Sequence, residues 1–470
     1  MRILLPTGTA TETVVRKAAE RFDADIVITG EIASFLTPHD LLMLMKKRRY
    51  DAVVVSGMCT ASFEGVERET GVPVYRGPRH ANDLAQILPL IGTEITTRTI
   101  PADEFLVEKR AQQAMTVIEN AERDAEADCV IRGMKIGGRS RMKVLAEIMD
   151  AHRQDDLLTC VEQMFSEGAD IVDLGFGFDA TPAEVREVLG CLDRINRPIA
   201  VDTQDPVLIR AALDRADLIM SLHESNMPVI GKEVADAGIA AVIVPGKSTL
   251  RKNLATARNL GIQCIIADPL LQPVGSGFTK SLKGFQRLDC PLFFGAGNVV
   301  ELLDADSIGA NALLAGIAAE TGAAIIFTSE HSDKTRGSVR EMRRATEMMV
   351  LSRDRPYPKD LGIDLLILKE KRRRREPPLE FETAVPARSM PAMILYDPKG
   401  NFRIGIMGGH IVAVMNSRAV TGKRWQDVLF TLLSQGDVSL LDHAGYLGRE
   451  LYKAELAIRY GRSFEQDGEF

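Results

Sequence analysis

Five apolar runs in the middle of the chain close on carboxylates or amides. VDLG carries Asp173, PIAVD ends at Asp202, ADLIMSL leads to Asn226, IIADP holds Asp268, and GAGN ends at Asn298. A single strand-end Asp more often caps a helix or anchors a loop. Burying a carboxylate is costly unless something pairs with it, so repeated carboxylates and amides after apolar runs ask for a shared partner. Ionised carboxylates only accept hydrogen bonds, whereas amides both donate and accept. With few cations among them, the set suits a neutral flat heterocycle with an amidine-like edge. A pterin or guanine-like ring offers that edge, its exocyclic amine and ring N–H donating side by side to one Asp.

A second group of residues is basic. Arg132, Lys135, Arg139 and Arg141 lie in RGMKIGGRSRM, Lys247 follows another apolar run, Lys280 lies in GSGFTK, and His331 and Lys334 lie in TSEHSDKTR. Cations beside glycine-exposed amides are what a phosphate or diphosphate needs, although a solvated loop explains any one of them equally well. Near the C-terminus His410, His443, Tyr446 and Glu450 lack metal-ligand spacing, and a structural or subunit-contact role is the simpler reading. No metal site is expected from side chains alone. The six cysteines are scattered without a CxxC and read as reduced core residues of a cytoplasmic protein.

These groups need elements to position them. Residues 128–350 alternate strand candidates with amphipathic stretches: ADCVIRGM, DIVDLG, PIAVD, ADLIMSL, IAAVIV, QCIIAD, CPLFFGAG and AAIIFTS. Eight βα units of this length predict an α/β fold, a (β/α)8 barrel with its chemistry at the C-terminal ends of the strands. An open doubly wound sheet is the alternative. Residues 1–95 alternate shorter strands and helices and predict a small α/β domain. There Thr7, Gly8 and Thr9 read first as a turn and helix cap, and second as an anion-holding turn. Residues 96–127 form a helical connector, and 351–390 a linker with a basic run and several prolines. Residues 391–470 form an α+β domain whose hairpin turns at Pro398-Lys399-Gly400 and is followed by two helices.

Composition sets outer limits. A chain of 470 residues with 45% apolar and 26% charged residues is an ordinary globular protein of more than one domain. The net charge of −7 argues against nucleic acid as the main partner. The apolar start MRILLPTG is far shorter than a secretory core, and no membrane-spanning run follows.

Taken together, EGADIVDLGFG, PIAVDT, the Asn226 strand, IIADP and GAGNV resemble the pterin-binding barrel family of dihydropteroate synthases and pterin-dependent corrinoid methyltransferases. More closely, the chain resembles the dihydropteroate synthase-related proteins of methanogens and methylotrophs. The resemblance covers roughly half of the chain and implies a TIM barrel flanked by two further domains. It implies Asp202, Asn226 and Asp268 as pterin ligands, to which the strand-end pattern adds Asp173, with Asn298 like the asparagine of the methyltransferase branch. Asp202 and Asp268 would supply catalytic negative field at the reacting methylene. The activity implied is a transferase joining a dihydropterin methyl diphosphate to an arylamine in tetrahydromethanopterin or folate-like biosynthesis, in a cytoplasmic homo-oligomer. Mg2+ would then accompany the diphosphate. Two alternatives follow: a methyl-pterin-dependent corrinoid methyltransferase, and a non-catalytic pterin carrier. The chain departs from synthases in the strand-one loop, in lacking the strand-seven lysine, and in TSEHSDKTR after strand eight. The phosphate role would then fall to Arg132, Lys135, Arg139, Arg141, Lys280, His331 and Lys334.

Overall fold

A computed structural model describes residues 1–468 apart from 47, 96–97, 286–287, 355–356, 360, 370–380 and 389–395. The chain divides into two units, Met1–Leu365 and Leu366–Phe470. Most of the basic, proline-containing run of the expected linker lies outside the described residues.

The first unit begins with four short strands, β1 (Ile3–Thr7), β2 (Ala24–Ile28), β3 (Ala52–Val55) and β4 (Val74–Arg76). They form a parallel sheet in the order β2-β1-β3-β4. Side chains alternate across it: Ile3, Leu5 and Val54 enter one apolar cluster, and Leu4, Val53 and Val55 the other. Gly8 closes the first turn where only a glycine fits, because a Cβ there would sit 2.2 Å from the Glu31 carbonyl oxygen. The turn reading of Thr7-Gly8-Thr9 accounts for this site. The helix Ala102–Asp124 then leads to the barrel. Its start packs with the N-terminal sheet through Ala102 and Leu106, and Ala114 and Ile118 further along pack with Val350 and Ile363.

A two-stranded hairpin follows, β5 (Cys129–Ile131) and β6 (Met134–Ile136). Eight parallel strands then close on themselves: β7 (Lys143–Ile148), β8 (Ile171–Gly175), β9 (Ile199–Asp202), β10 (Leu218–Leu222), β11 (Ala240–Ile243), β12 (Ile265–Ala267), β13 (Leu292–Phe294) and β14 (Ala323–Ser329). The expected barrel is present, with one correction. ADCVIRGM is the hairpin, and the first barrel strand is KVLAEI. Arg132 and Gly133 both take positive φ at the hairpin turn, 44° and 77°, and Gly137 and Gly138 at 73° and 57° turn the chain again before it enters the barrel.

The hairpin plugs the N-terminal end of the barrel. Ile131 and Ile136 pack with the inward-facing Leu145, Ile171, Ala200, Leu218 and Ile325. Fully burying each of these isoleucines is worth about 1.5–3 kcal/mol. This insertion also brings Cys129 against Cys264, just before β12, and the two form a disulfide. That corrects the expectation of six reduced cysteines; Cys59, Cys160, Cys191 and Cys290 are free.

The second unit contains an antiparallel sheet of β15 (Arg403–Met407), β16 (His410–Met415) and β17 (Arg418–Gly422), followed by the helices Trp425–Ser434 and Leu441–Tyr460. The α+β class is as expected, but the hairpin turns elsewhere. Met407 pairs with His410 across Gly408 and Gly409, whose φ values of 57° and 71° fit a two-residue turn. Pro398-Lys399-Gly400 is an earlier turn, tied by the Lys399 N–H to Asp397 Oδ1 at 2.9 Å. The His443 Nδ1–H donates to the same carboxylate, 3.0 Å away. Tyr446 meets Gln466, and Glu450 accepts from Lys453, so these residues act as internal ties.

Candidate functional site

Strand parity explains which polar groups enter the barrel. Leu145, Ile171, Ala200, Ile266 and Phe327 face the interior, whereas Val144, Val172, Val201, Ile265 and Ile326 face the helices. Two residues further along each inward column stand Glu147, Asp173, Asp202, Asp268 and Ser329. Register carries them across neighbouring strands: Ser329 pairs with Glu147, Glu147 with Asp173, and Gly175 with Asp202. All lie at the C-terminal end of the barrel.

The electrostatics of this end are unusual. Asp173 is 1% exposed, and neither carboxylate oxygen has a hydrogen-bond partner among the described residues. Burial, then the charges of Asp202 and Glu147, raise its pKa well above the usual carboxylate range. Burial, followed by Asp202 and Glu301, pushes Glu147 up to about 7. Asp268 is also pushed up to about 7, by burial and then by Asp202, against the Leu270 N–H bond of 2.7 Å that favours its charged form. Burial raises Asp202 too, opposed by a hydrogen bond from Ser221. These four carboxyl groups share one field and perturb each other. Such a cluster holds protons at neutrality or receives a ligand that offers N–H donors.

Two backbone positions beside the cluster are strained. Ser221 has φ 61° and Leu270 φ 64°, in the left-handed region that ordinary side chains avoid. The β10–β11 register shifts between Ile219 and Leu222, which re-aims the chain as it leaves β10. Asn226 follows at the start of the helix Met227–Asp236 and is 2% exposed. Its Oδ1 accepts from the His223 N–H at 2.9 Å, and its Nδ2 donates to Ser221 O at 3.3 Å. In this structure the amide organises its own loop. Asn298 is exposed on the short helix Gly297–Val300, after β13.

The expected basic set separates. Lys280 lies on the helix Phe278–Ser281 beyond β12, and His331 beyond β14; both are exposed on the loops of the carboxyl-bearing end. Lys334 is engaged with Asp304 at 2.9 Å, and Lys247 donates its backbone N–H to Glu224 at 2.5 Å. The other four belong to the opposite end, because their segment precedes the first barrel strand. Arg132 pairs with Asp217 at 2.9 Å, just before β10. Lys135 Nζ donates to the carbonyls of Arg123 and Ala125 at 2.7 and 2.8 Å. Arg141 is buried against Asp170 at 2.6 Å, just before β8. Arg139 lies in the glycine turn between them. The barrel separates all four from the C-terminal rim, which corrects their expected position.

Sequence reasoning missed Glu147 and Glu301. Glu147 was hidden by the misplaced first strand, yet the alternation Lys143, Leu145, Glu147 in KVLAEI carries the signal. Glu301 follows Asn298 on the next helical turn and collects Ser329 Oγ at 3.1 Å, the His331 N–H at 3.1 Å and Thr335 Oγ1 at 2.7 Å. Burial opposes its ionisation, but hydrogen bonds led by Ser332 and Thr335 hold its pKa below the usual range. It fastens the loop after β14 to the rim.

The site is the acidic mouth of a closed (β/α)8 barrel. The family model PterinBD-DUF4346 matches residues 396–467. An uncharacterized protein of Methanocaldococcus jannaschii is 33% identical over 521 aligned positions, which span 99% of this chain and 98% of that protein. The chain belongs to the same family as that protein. Among solved structures, it is similar to dihydropteroate synthase of Yersinia pestis in a sulfonamide complex, at 19% identity and TM-score 0.40, covering 48% of this chain and 99% of that one. It is also similar to dihydropteroate synthase of Thermus thermophilus, at 20% identity and TM-score 0.37, covering 44% of this chain and 92% of that one.

Proposed function

We propose that the barrel binds a reduced pterin at its C-terminal mouth and transfers the pterinylmethyl group of a dihydropterin methyl diphosphate to an arylamine: the amine nitrogen bonds to the methylene and loses a proton as the carbon–oxygen bond to diphosphate breaks. The observation that carries this reading is the inward row of carboxyls at Glu147, Asp173, Asp202 and Asp268, the first and third half-buried and the other two buried, with neither Asp173 oxygen hydrogen-bonded among the described residues. The amidine edge of a pterin supplies the missing donors. A carboxylate facing that edge is stabilised in its charged form and places negative field near the methylene, where cationic character develops as diphosphate leaves. Asp202 and Asp268 are assigned this role. Asp173, Asn226 and Asn298 complete the ring site, with Asn226 exchanging its loop contacts for the ring. Lys280, His331 and Lys334 are the expected basic residues placed to meet the diphosphate. Mg2+ enters only as a carrier of that diphosphate, because no group of three acidic, His or Cys residues among those described could hold a metal ion. On this reading the reaction belongs to tetrahydromethanopterin or folate-like biosynthesis, in a cytoplasmic homo-oligomer.

A second reading, methyl transfer from a methyl-pterin to a corrinoid on another protein, is favoured by one observation. Glu147 has its pKa near 7, which suits a proton donor to a ring nitrogen as its methyl group departs. The two readings separate in one assay. The full chain is supplied either with dihydropterin methyl diphosphate and p-aminobenzoate or its ribosyl phosphate derivative, or with a methyl-tetrahydropterin and a cob(I)alamin acceptor. Diphosphate release supports the first, and methylcobalamin the second. Pterin binding without either product would leave the chain a carrier. Asp202→Asn tests the ring site itself: losing a hydrogen bond to a charged group costs about 1.5–3 kcal/mol, roughly tenfold or more in affinity. Calorimetry giving the same dihydropterin affinity for Asp202→Asn as for the native chain would defeat the assignment.

A further inference from the structure

At the other end of the barrel lies a cavity of about 760 Å³ that the proposed pterin chemistry does not use. Its floor is apolar, with Met142, Ile265, Phe285, Leu292, Met349 and Val350 among the lining residues. Its polar side carries three guanidinium groups, Arg139, Arg258 and Arg353. The volume falls in the range of sites that take a small organic ligand.

The arginines at this end fall into two sets, and the three of the cavity share with Arg197, held by the Phe165 and Ala169 carbonyls, the lack of an ion pair among the described residues. Arg132, Arg141 and Arg215 each pair with a carboxylate at 2.6–3.2 Å. Among the described residues, Arg139, Arg258 and Arg353 form no ion pair. Arg353 instead donates to the backbone carbonyls of Arg139 and Ser140 at 2.6 and 2.8 Å, fixing the glycine turn that carries Arg139. Arg258 reaches only the carbonyl of Asp289, at 3.4 Å. Arg139, Arg258 and Arg353 are exposed at the cavity's edge; desolvation and then the like charge of Arg139 lower the Arg353 pKa, while Glu122 and Asp354 oppose the shift. Of the two carboxylates in the lining, Asp128 accepts the Gly138 N–H at 2.7 Å, and Asp289 is exposed. With three guanidinium groups against two carboxylates, the lining is net cationic and suits an anion.

We propose that this cavity binds an organic phosphate monoester with an apolar body, the phosphate held by Arg139 and Arg258 on a turn fixed by Arg353, and the body lying on the apolar floor. Guanidinium forks match phosphate geometry, and the cavity pairs them with a surface that inorganic phosphate cannot use. The site is independent of the mouth, so its occupancy does not require pterin.

The test uses the full chain and 1-naphthyl phosphate as probe, beside 1-naphthol and inorganic phosphate, by calorimetry at fixed salt. One probe molecule per chain is expected, bound at least roughly tenfold more tightly than either control, because charge-assisted contacts and apolar burial act together. The free thiol of Cys290 also lines the cavity, and probe binding should slow its reaction with a thiol reagent while dihydropterin should not. Arg139→Ala with Arg258→Ala should reduce naphthyl phosphate affinity to that of naphthol. If this double variant does not fold, as judged by circular dichroism, Arg258→Gln alone should give a smaller loss in the same direction. Equal affinity for the probe and naphthol would overturn the proposal. So would unaltered Cys290 labelling, displacement of the probe by dihydropterin, or unchanged affinity in the folded variants.

Discussion

The two ends of the barrel treat charge in opposite ways. At the N-terminal end Asp170 accepts from Arg141 at 2.6 Å, from Arg343 at 3.1 Å and from the Val144 N–H at 2.8 Å. Lys143, 1% exposed, donates to Glu122 at 2.7 Å and to the Arg141 carbonyl at 2.7 Å. At the C-terminal end Asp173 is as deeply buried as Lys143 and has no described partner. Burial raises the pKa of Asp170 as it does that of Asp173, but Arg141 and Arg343 reverse the shift for Asp170. Buried charge that is fully paired serves the fold, whereas buried charge left open stores a cost that a ligand can relieve.

The largest expected effect breaks the paired end. Arg141→Ala removes the donor facing Asp170 and leaves a buried carboxylate with the partly exposed Arg343 as its remaining ion-pair partner. Breaking a buried pair in this way costs about 3–5 kcal/mol, read as a lower urea midpoint by circular dichroism. Arg141→Met combined with Asp170→Asn removes both charges and should recover much of that loss. A single variant as stable as the native chain would show that this end is not held by its ion pairs.

The same contrast explains what the sequence made legible. The inward placement of Asp202 in PIAVD, Asp268 in IIADP and Asp173 in VDLG was legible because strand parity is local. Strand count and alternation also pointed to the barrel. The first strand was not legible in this way. CVI and VLA are equally apolar, and only the tertiary plug, with Ile131 and Ile136 inside the N-terminal end of the barrel, decides that the former is a hairpin. That single shift sent Arg132, Lys135, Arg139 and Arg141 to the far end and hid Glu147. The pairing of Cys129 with Cys264 spans 135 residues and depends on the same plug. Asn226 was found as a strand-end residue, but its bond to the His223 N–H is a loop detail that no spacing rule supplies.

An intermediate effect should appear in the pH dependence of stability. Glu147 and Asp268 carry folded-state pKa values of about 7, above their ordinary values of 4.5 and 3.8. The folded chain therefore binds more protons than the unfolded chain between about pH 4 and pH 7. Stability from these groups is fully present below that window and lost as pH rises through it, with a slope of up to about 1.4 kcal/mol per pH unit for one group. Asp170 and Glu122 have lowered values, so their contributions are lost only as pH falls below the ordinary carboxylate range. Urea midpoints of the ligand-free chain should fall between pH 5 and pH 7.5. Glu147→Gln and Asp268→Asn should each flatten the decline, and Asp173→Asn should raise stability at pH 8. Identical slopes in the native chain and all three variants would mean that the mouth carries no strained charge.

The smallest expected effect asks which end reads phosphate in a pterin ligand, and it rests on the proposed function. Lys280 is exposed on the helix beyond β12, at the end that holds the carboxyl row. Exposed ion pairs contribute about 0.2–1 kcal/mol, so Lys280→Ala should weaken dihydropterin methyl diphosphate by at most about fivefold. The corresponding alcohol shares the ring but not the charge, and its affinity should be unchanged. Arg139→Ala should alter neither ligand, because Arg139 precedes β7 at the opposite end of the barrel and no diphosphate projecting from the mouth can reach it. The measurement is a pair of dissociation constants for each variant at one ionic strength, since screening reduces exposed contacts most. Loss of diphosphate selectivity in Arg139→Ala but not in Lys280→Ala would invert the comparison. It would place the phosphate-reading end of the barrel at the plug, with the ring entering beside the hairpin.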